Sequence, residues 1–285
     1  MRRNLHLLII DPQNDFCDLP AAYLPDNPAG GGKMAAALPV PGAHADMLRV
    51  ADLINRGGGG IDAISITLDS HHRLDIAHPG FWTTAAGNEV TPFTQISAAE
   101  VRAGRYLPRL PAALPRALHY LDQLEAAGRY RLMVWPVHCE IGSWGHNVHA
   151  DVRAAYNRWE EQTLRSVGKV SKGSNPWTEH YSAVQAEVPD PDDVLTQSNQ
   201  AFLDSLAQAD CIYITGEAGS HCVKATTEHI ADHFGPENMG KLVLVTDCMS
   251  PVSGFEEQYR EFIADMAARG ARVANAADVL LELSQ

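Results

Sequence analysis

The chain has 285 residues, and 22 basic against 35 acidic side chains give a formal charge of −13. With 45% hydrophobic and 20% charged residues it can bury a full core, which excludes intrinsic disorder and fibrous repeats. Its acidity argues against a nucleic-acid or anionic-membrane surface, because both need a basic face.

The N-terminal run MRRNLHLLII holds only about six apolar residues before Asp11-Pro12. That is short for a signal-peptide core and far below the about 20 residues of a membrane span. Five cysteines, at 17, 139, 211, 222 and 248, form no CxxC pair and read as free thiols. The expected location is cytoplasmic.

Leu5 to Ile10 is a continuous aliphatic run, the pattern of a strand buried on both faces. Residues 18–42, rich in Pro, Gly and Ala, read as a loop. Met47, Val50, Ala51 and Ile54 stand at helical spacing and are stopped by Gly57 to Gly60. Ala63 to Leu68 is the next strand. Residues 75–111 show no sustained period and read as a long irregular insertion.

A helix near Arg116–Ala127, a strand at Arg131–Trp135 and a strand at Val167–Ser171 follow. Then come a helix at Ala201–Ala209, a strand at Cys211–Thr215 and a helix from Cys222 to about His233. Leu242–Thr246 is a strand, Glu256–Ala268 a helix and Ala271–Ala274 a last short strand before a C-terminal helix. Alternating strands and helices imply an α/β fold of three layers, with a mostly parallel central sheet and helices on both faces, as in Rossmann-like folds. Residues 1–285 read as one domain. Ligands of such sheets bind beyond the carboxyl ends of the strands.

Four groups of residues sit at those ends. Asp11 follows the first strand, as a catalytic acid or as a turn former before Pro12. Asp69 and His71 follow the second and are metal-ligand types whose side chains point the same way in extended chain. His138 is a third candidate ligand, with His72, His78 and His146 as competitors among 13 histidines. Cys222 opens a helix, where the dipole and free N–H groups favour a reactive thiolate. Lys172 ends a strand and reads either as a surface charge or as a partner to these groups.

In their order, these segments resemble the isochorismatase-like cysteine hydrolases, and among them the nicotinamidases. The matching pieces are Leu8-Ile9-Ile10-Asp11-Pro12-Gln13-Asn14-Asp15-Phe16, then Asp69-Ser70-His71, then Trp135-Pro136-Val137-His138-Cys139. Lys172-Gly173 with Tyr181-Ser182-Ala183 and Cys222-Val223-Lys224-Ala225-Thr226 complete the set, from residue 5 to about 250.

The resemblance implies a triad of Asp11, Lys172 and Cys222. It also implies a divalent metal, most often zinc with Mn or Fe as alternatives, on Asp69, His71 and His138. It implies an oxyanion hole from the N–H groups of Cys222 and Ala218, with a cis peptide at Glu217–Ala218. Phe16, Trp82 and Tyr181 are the candidate aromatic walls. The implied reaction is hydrolysis of a small amide, nicotinamide first, through a Cys222 thioester, serving NAD salvage. The alternatives are another small amide or ureido substrate, or a non-catalytic binding protein. The family often forms dimers or tetramers.

The chain departs from the nicotinamidase pattern in four places. Ser70 stands where Trp is usual, and residues 75–82 replace a His-Ile-Ser-Phe type of segment. About 66 residues separate His71 from His138. The turn Gly216-Glu217-Ala218-Gly219-Ser220-His221 lacks the usual aliphatic and acidic members. These changes bear on the substrate more than on the reaction class.

Overall fold

The computed structural model describes residues 3–284. Arg2, part of the N-terminal run read above, lies outside them. The chain runs β1 (Leu5–Ile10), α1 (Ala43–Gly57), β2 (Ala63–Asp69), β3 (Trp82–Thr84), β4 (Thr94–Ile96), α2 (Ala98–Arg102) and β5 (Tyr106–Pro108). It continues with α3 (Leu114–Ala127), β6 (Leu132–Val134), α4 (Ala150–Thr163), β7 (Gly168–Lys172), α5 (Gln200–Ala207) and β8 (Cys211–Gly216). It ends with α6 (Cys222–Phe234), β9 (Leu242–Val245), α7 (Glu256–Ala268), β10 (Arg272–Ala274) and α8 (Ala276–Leu283).

Six strands form a parallel sheet in the order β10-β9-β8-β1-β2-β7. Every residue of β1, β8 and β9 is buried, which is why their sequences are unbroken apolar runs. Helices α1, α4 and α8 pack together as one layer, and α5, α6 and α7 form the other. Among the described residues no helix is long and apolar enough to cross a membrane.

The strand order reverses between β1 and β8. From β1 the chain passes outward to β2 and β7, then returns to the other side for β8, β9 and β10. Such a switch point opens a crevice at the carboxyl ends of its central strands. Gly216 makes the close approach there possible. Its φ is +116°, and a Cβ would lie 2.0 Å from the Ile10 carbonyl oxygen.

Residues 75–111 depart from the expected irregular loop. They hold β3, β4, β5 and α2, the last closed by a capping box in which Ser97 and Glu100 satisfy each other's backbone N–H. The strand at 132–134 also lies outside the central sheet. β6 pairs antiparallel with β4, and β3 with β5. Runs of three residues are too short to show a period, so their pairing is decided by what they meet. A further helix, α4, was not anticipated from the sequence.

Candidate active site

Four strand ends converge at the switch point. Asp11 follows β1, Asp69 closes β2, Lys172 closes β7, and the turn after β8 leads to Cys222 at the start of α6. Asp69 and Lys172 are register partners on neighbouring strands, so their side chains share a face. Asp11 takes φ of +44°, a left-handed conformation rare outside glycine, and its backbone N–H is tied to the Thr67 hydroxyl.

Lys172 is buried and surrounded by acceptors. Its Nζ donates to Asp69 Oδ1 at 2.9 Å, to the His180 carbonyl at 3.1 Å and to Cys222 Sγ at 3.5 Å. Asp11 Oδ2 also lies 2.9 Å from Nζ. At that distance the Asp11 carboxylate is a stronger partner for the ammonium than the sulfur at 3.5 Å. The Thr67 hydroxyl donates to Asp11 Oδ1 at 2.5 Å. The Cys222 thiol is a further donor within reach of the Asp11 carboxylate.

Burial is the largest influence on each of these groups. It lifts Asp11 above the usual carboxylate range, against the pull of Lys172, and Asp69 adds to the rise. Burial alone would lower Lys172, but Asp11 and Asp69 hold it well above its ordinary value. Burial pushes the Cys222 thiol up as well, and Lys172 only partly opposes this. Burial thus opposes the thiolate that the helix start and Lys172 favour. The Lys172 charge is largely neutralised by two carboxylates before it reaches the sulfur, so desolvation of the thiolate wins.

At the helix start, the N–H groups of His221 and Val223 both donate to the Ala218 carbonyl. Those of Ala218 and Cys222 have no protein acceptor among the described residues. The Glu217–Ala218 peptide is cis, as the resemblance implied. The two free N–H groups flank the sulfur and fit an oxyanion.

The metal-type residues lie beside the triad. His71 Nε2 and His138 Nε2 lie 3.0 and 3.2 Å from Asp69 Oδ2. Each ring is oriented by its other nitrogen: His71 Nδ1 bonds Asp75 and His138 Nδ1 donates to the Pro136 carbonyl. Such outer partners hold metal-binding imidazoles in one tautomer. His78 joins them, with a donor atom within 4.8 Å of those of His71 and His138. Both His78 nitrogens are buried without a hydrogen bond, and burial lowers its pKa to about 3. A buried imidazole without a hydrogen bond, facing two others beside a carboxylate, fits a divalent metal.

The competing histidines fall away: His72 is exposed, and His146 Nε2 is bonded to Ser70 Oγ at 2.9 Å. Gly173 admits the cluster. Its φ is +84°, and a Cβ would stand 3.0 Å from Asp69 Oδ1 and 3.2 Å from the His71 ring. Gln13 clamps Asp69 by accepting from its N–H and donating to its carbonyl.

A small cavity reaches Cys222, lined by Phe16, Trp135, Tyr181, Ala218, His221 and Glu179 among others. Phe16, Tyr181 and Ala218 are where the sequence placed them. Trp82 is not. It is fully buried beside Phe81, and its indole N–H bonds the Ile76 carbonyl. The wall it was expected to form is made by Trp135, whose N–H bonds the Tyr181 hydroxyl at 3.0 Å. Glu179 and His221 were missed. Burial lifts Glu179 to about 8 and lowers His221 to about 3, which disfavours the charged form of each. Only the position of Glu179 seven residues after Lys172, and of His221 just before Cys222, hinted at them.

No protein-family model matches the chain, and no curated protein does either. Solved structures do match. An Acinetobacter baumanii nicotinamidase/pyrazinamidase is 18% identical with a TM-score of 0.61, over 97% of this chain and 98% of that one. A pyrazinamidase of Pyrococcus horikoshii in complex with zinc is 18% identical with a TM-score of 0.52, over 95% and 99%. An isochorismatase-like hydrolase from Alkaliphilus metalliredigens is 14% identical with a TM-score of 0.52, over 98% of each chain. The three-layer architecture of this chain is the isochorismatase-like hydrolase fold. Within that fold, its structural neighbours include nicotinamidases and pyrazinamidases.

Proposed function

We propose that this protein is a metal-assisted cysteine amidohydrolase whose leading substrate is nicotinamide. One observation carries the reading: Lys172 Nζ stands 2.9 Å from Asp11 and 3.5 Å from Cys222 Sγ, while Asp11 Oδ2 keeps a lone pair for the thiol proton.

Asp11 takes the proton from Cys222 as the sulfur attacks the carboxamide carbon. Its raised proton affinity suits this exchange, because the proton must later be given back. Lys172 stabilises the charge that forms on the pair. The Ala218 and Cys222 N–H groups receive the oxyanion. The C–N bond breaks, and Asp11 returns its proton to the departing ammonia. Water then cleaves the thioester to the free acid, with Asp11 again as base. Asp69, His71 and His138, with His78 as a fourth donor, would hold a divalent metal, zinc first, which supplies a Lewis acid able to bind a ring nitrogen and orient the substrate. Trp135, Tyr181 and Phe16 would hold a flat ring between them.

A second reading is the same reaction on another small amide or ureido compound, favoured by the polar Glu179 and His221 in the wall. Ammonia release from nicotinamide by the wild type, absent in Cys222→Ala, tests the first reading. Release from a ureido compound alone selects the second. No turnover on a broad amide panel selects a binding protein.

A further inference from the structure

Outside the triad and the histidine cluster, the most unusual buried group is the carboxyl of Glu217, with no exposed surface and one residue before Ala218. Glu217 Oε2 accepts from the Ser250 N–H at 3.2 Å, and Oε1 has no N–H or hydroxyl donor. Ser250 joins it to a second carboxyl, that of Asp46 on α1.

Asp46 is itself fully engaged. Its Oδ2 accepts the Ser250 hydroxyl at 2.6 Å, and its Oδ1 takes Arg49 at 3.0 Å. Ser250 closes the circuit, since its carbonyl accepts the Gly219 N–H at 2.7 Å. Two residues on, the Val252 N–H donates to Ser220 Oγ at 3.1 Å. The turn that carries Ala218 is therefore fastened to the 250–252 segment and to α1, and the two carboxyls are the joint.

The surroundings are acidic. Asp18 and Asp247 also act on this cluster, together with the thiols of Cys17 and Cys248 and the Tyr259 phenol. Arg49 pairs with Asp46. Burial near a second carboxyl disfavours the charged form of each group. Burial first, and Asp46 second, push Glu217 well above its ordinary value near 4.5.

We propose that Glu217 is a positioning residue for the reaction: its carboxyl, joined through Ser250 to Asp46, fixes the loop that presents the Ala218 and Cys222 N–H groups. The meaning of those N–H groups rests on the function proposed above.

The test compares wild type, Glu217→Ala and Glu217→Gln. Glu217→Ala removes the joint. Its kcat should fall by about tenfold or more with KM nearly unchanged, because the loop acts on the transition state. Glu217→Gln keeps an N–H for Asp46 and a carbonyl for Ser250, and should restore most of kcat. The second arm needs no turnover. The folded-state value of Glu217 is raised by burial, so its contribution to stability is complete below pH 4.5 and is lost as pH rises through the raised value. Glu217→Gln has no such proton to lose, so its melting temperature relative to wild type should climb as pH rises above 4.5. Unchanged kcat in Glu217→Ala, equal damage in both variants, or a melting difference flat with pH would each overturn the proposal. An inactive wild type instead sinks the functional reading, and the melting arm then decides the buried Glu217 joint on its own.

Discussion

The Lys172 ammonium touches the sulfur of Cys222 at 3.5 Å and the Asp11 carboxylate at 2.9 Å, yet the three residues come from the end of β7, the start of α6 and the turn after β1. The contact exists because parallel strands deliver their carboxyl ends to one crevice. Lys172→Met should therefore do two kinds of damage. It leaves Asp11 and Asp69 buried without their counter-ion, a loss of about 3–5 kcal/mol that denaturant unfolding would register. Ammonia release should drop with it. A variant as stable as wild type would show that the ion triad is not formed.

Cys222 lines the cavity, whereas Cys211 is buried inside β8. Alkylation with iodoacetamide, mapped by mass spectrometry, should reach Cys222 first. Its rate should keep climbing from pH 7 to pH 9, because burial holds the thiol above its usual range. A plateau across that interval would mean a resting thiolate. Cys222→Ser should lower turnover by at least about a thousandfold.

Metal content separates the histidines. His138→Ala and His78→Ala should each lose bound metal by elemental analysis, because their donor atoms lie within 4.8 Å of one another and of His71. His146→Ala should retain it, since that ring is engaged with Ser70. Full metal in His78→Ala would restrict the ligands to Asp69, His71 and His138.

Glu187 offers a pH test of burial outside the triad. Burial raises its pKa to about 7, against the attraction of Arg129 at 3.7 Å. A raised folded-state value means that its stabilising contribution is complete below the unfolded value near 4.5 and is lost as pH rises through about 7. Glu187→Gln cannot lose a proton there. Its unfolding free energy relative to wild type should increase between pH 4.5 and pH 8, by on the order of 2 kcal/mol. A difference that stays level would place Glu187 in water.

Much of the layout was legible in the chain. The aliphatic runs at 5–10, 211–215 and 242–246 announce strands covered on both faces, and Asp11, Asp69 and Lys172 mark strand ends. Other signals were present but unread. Val152, Ala155, Tyr156 and Trp159 stand at helical spacing and form the buried face of α4. Ser97 and Glu100 are a capping box that starts α2 inside a segment read as irregular.

By itself the sequence determined the alternation of strands and helices and the order of the reactive residues, because both follow from local periodicity and from strand termini. Three things were decided by the tertiary structure alone: that His78 joins His71 and His138, that Trp135 rather than Trp82 faces the cavity, and that burial pushes the Cys222 thiol up. Each depends on which distant side chains meet and on how much water they exclude. Spacing along a chain carries no record of desolvation or of which charges meet, and the two together shift the groups of this site.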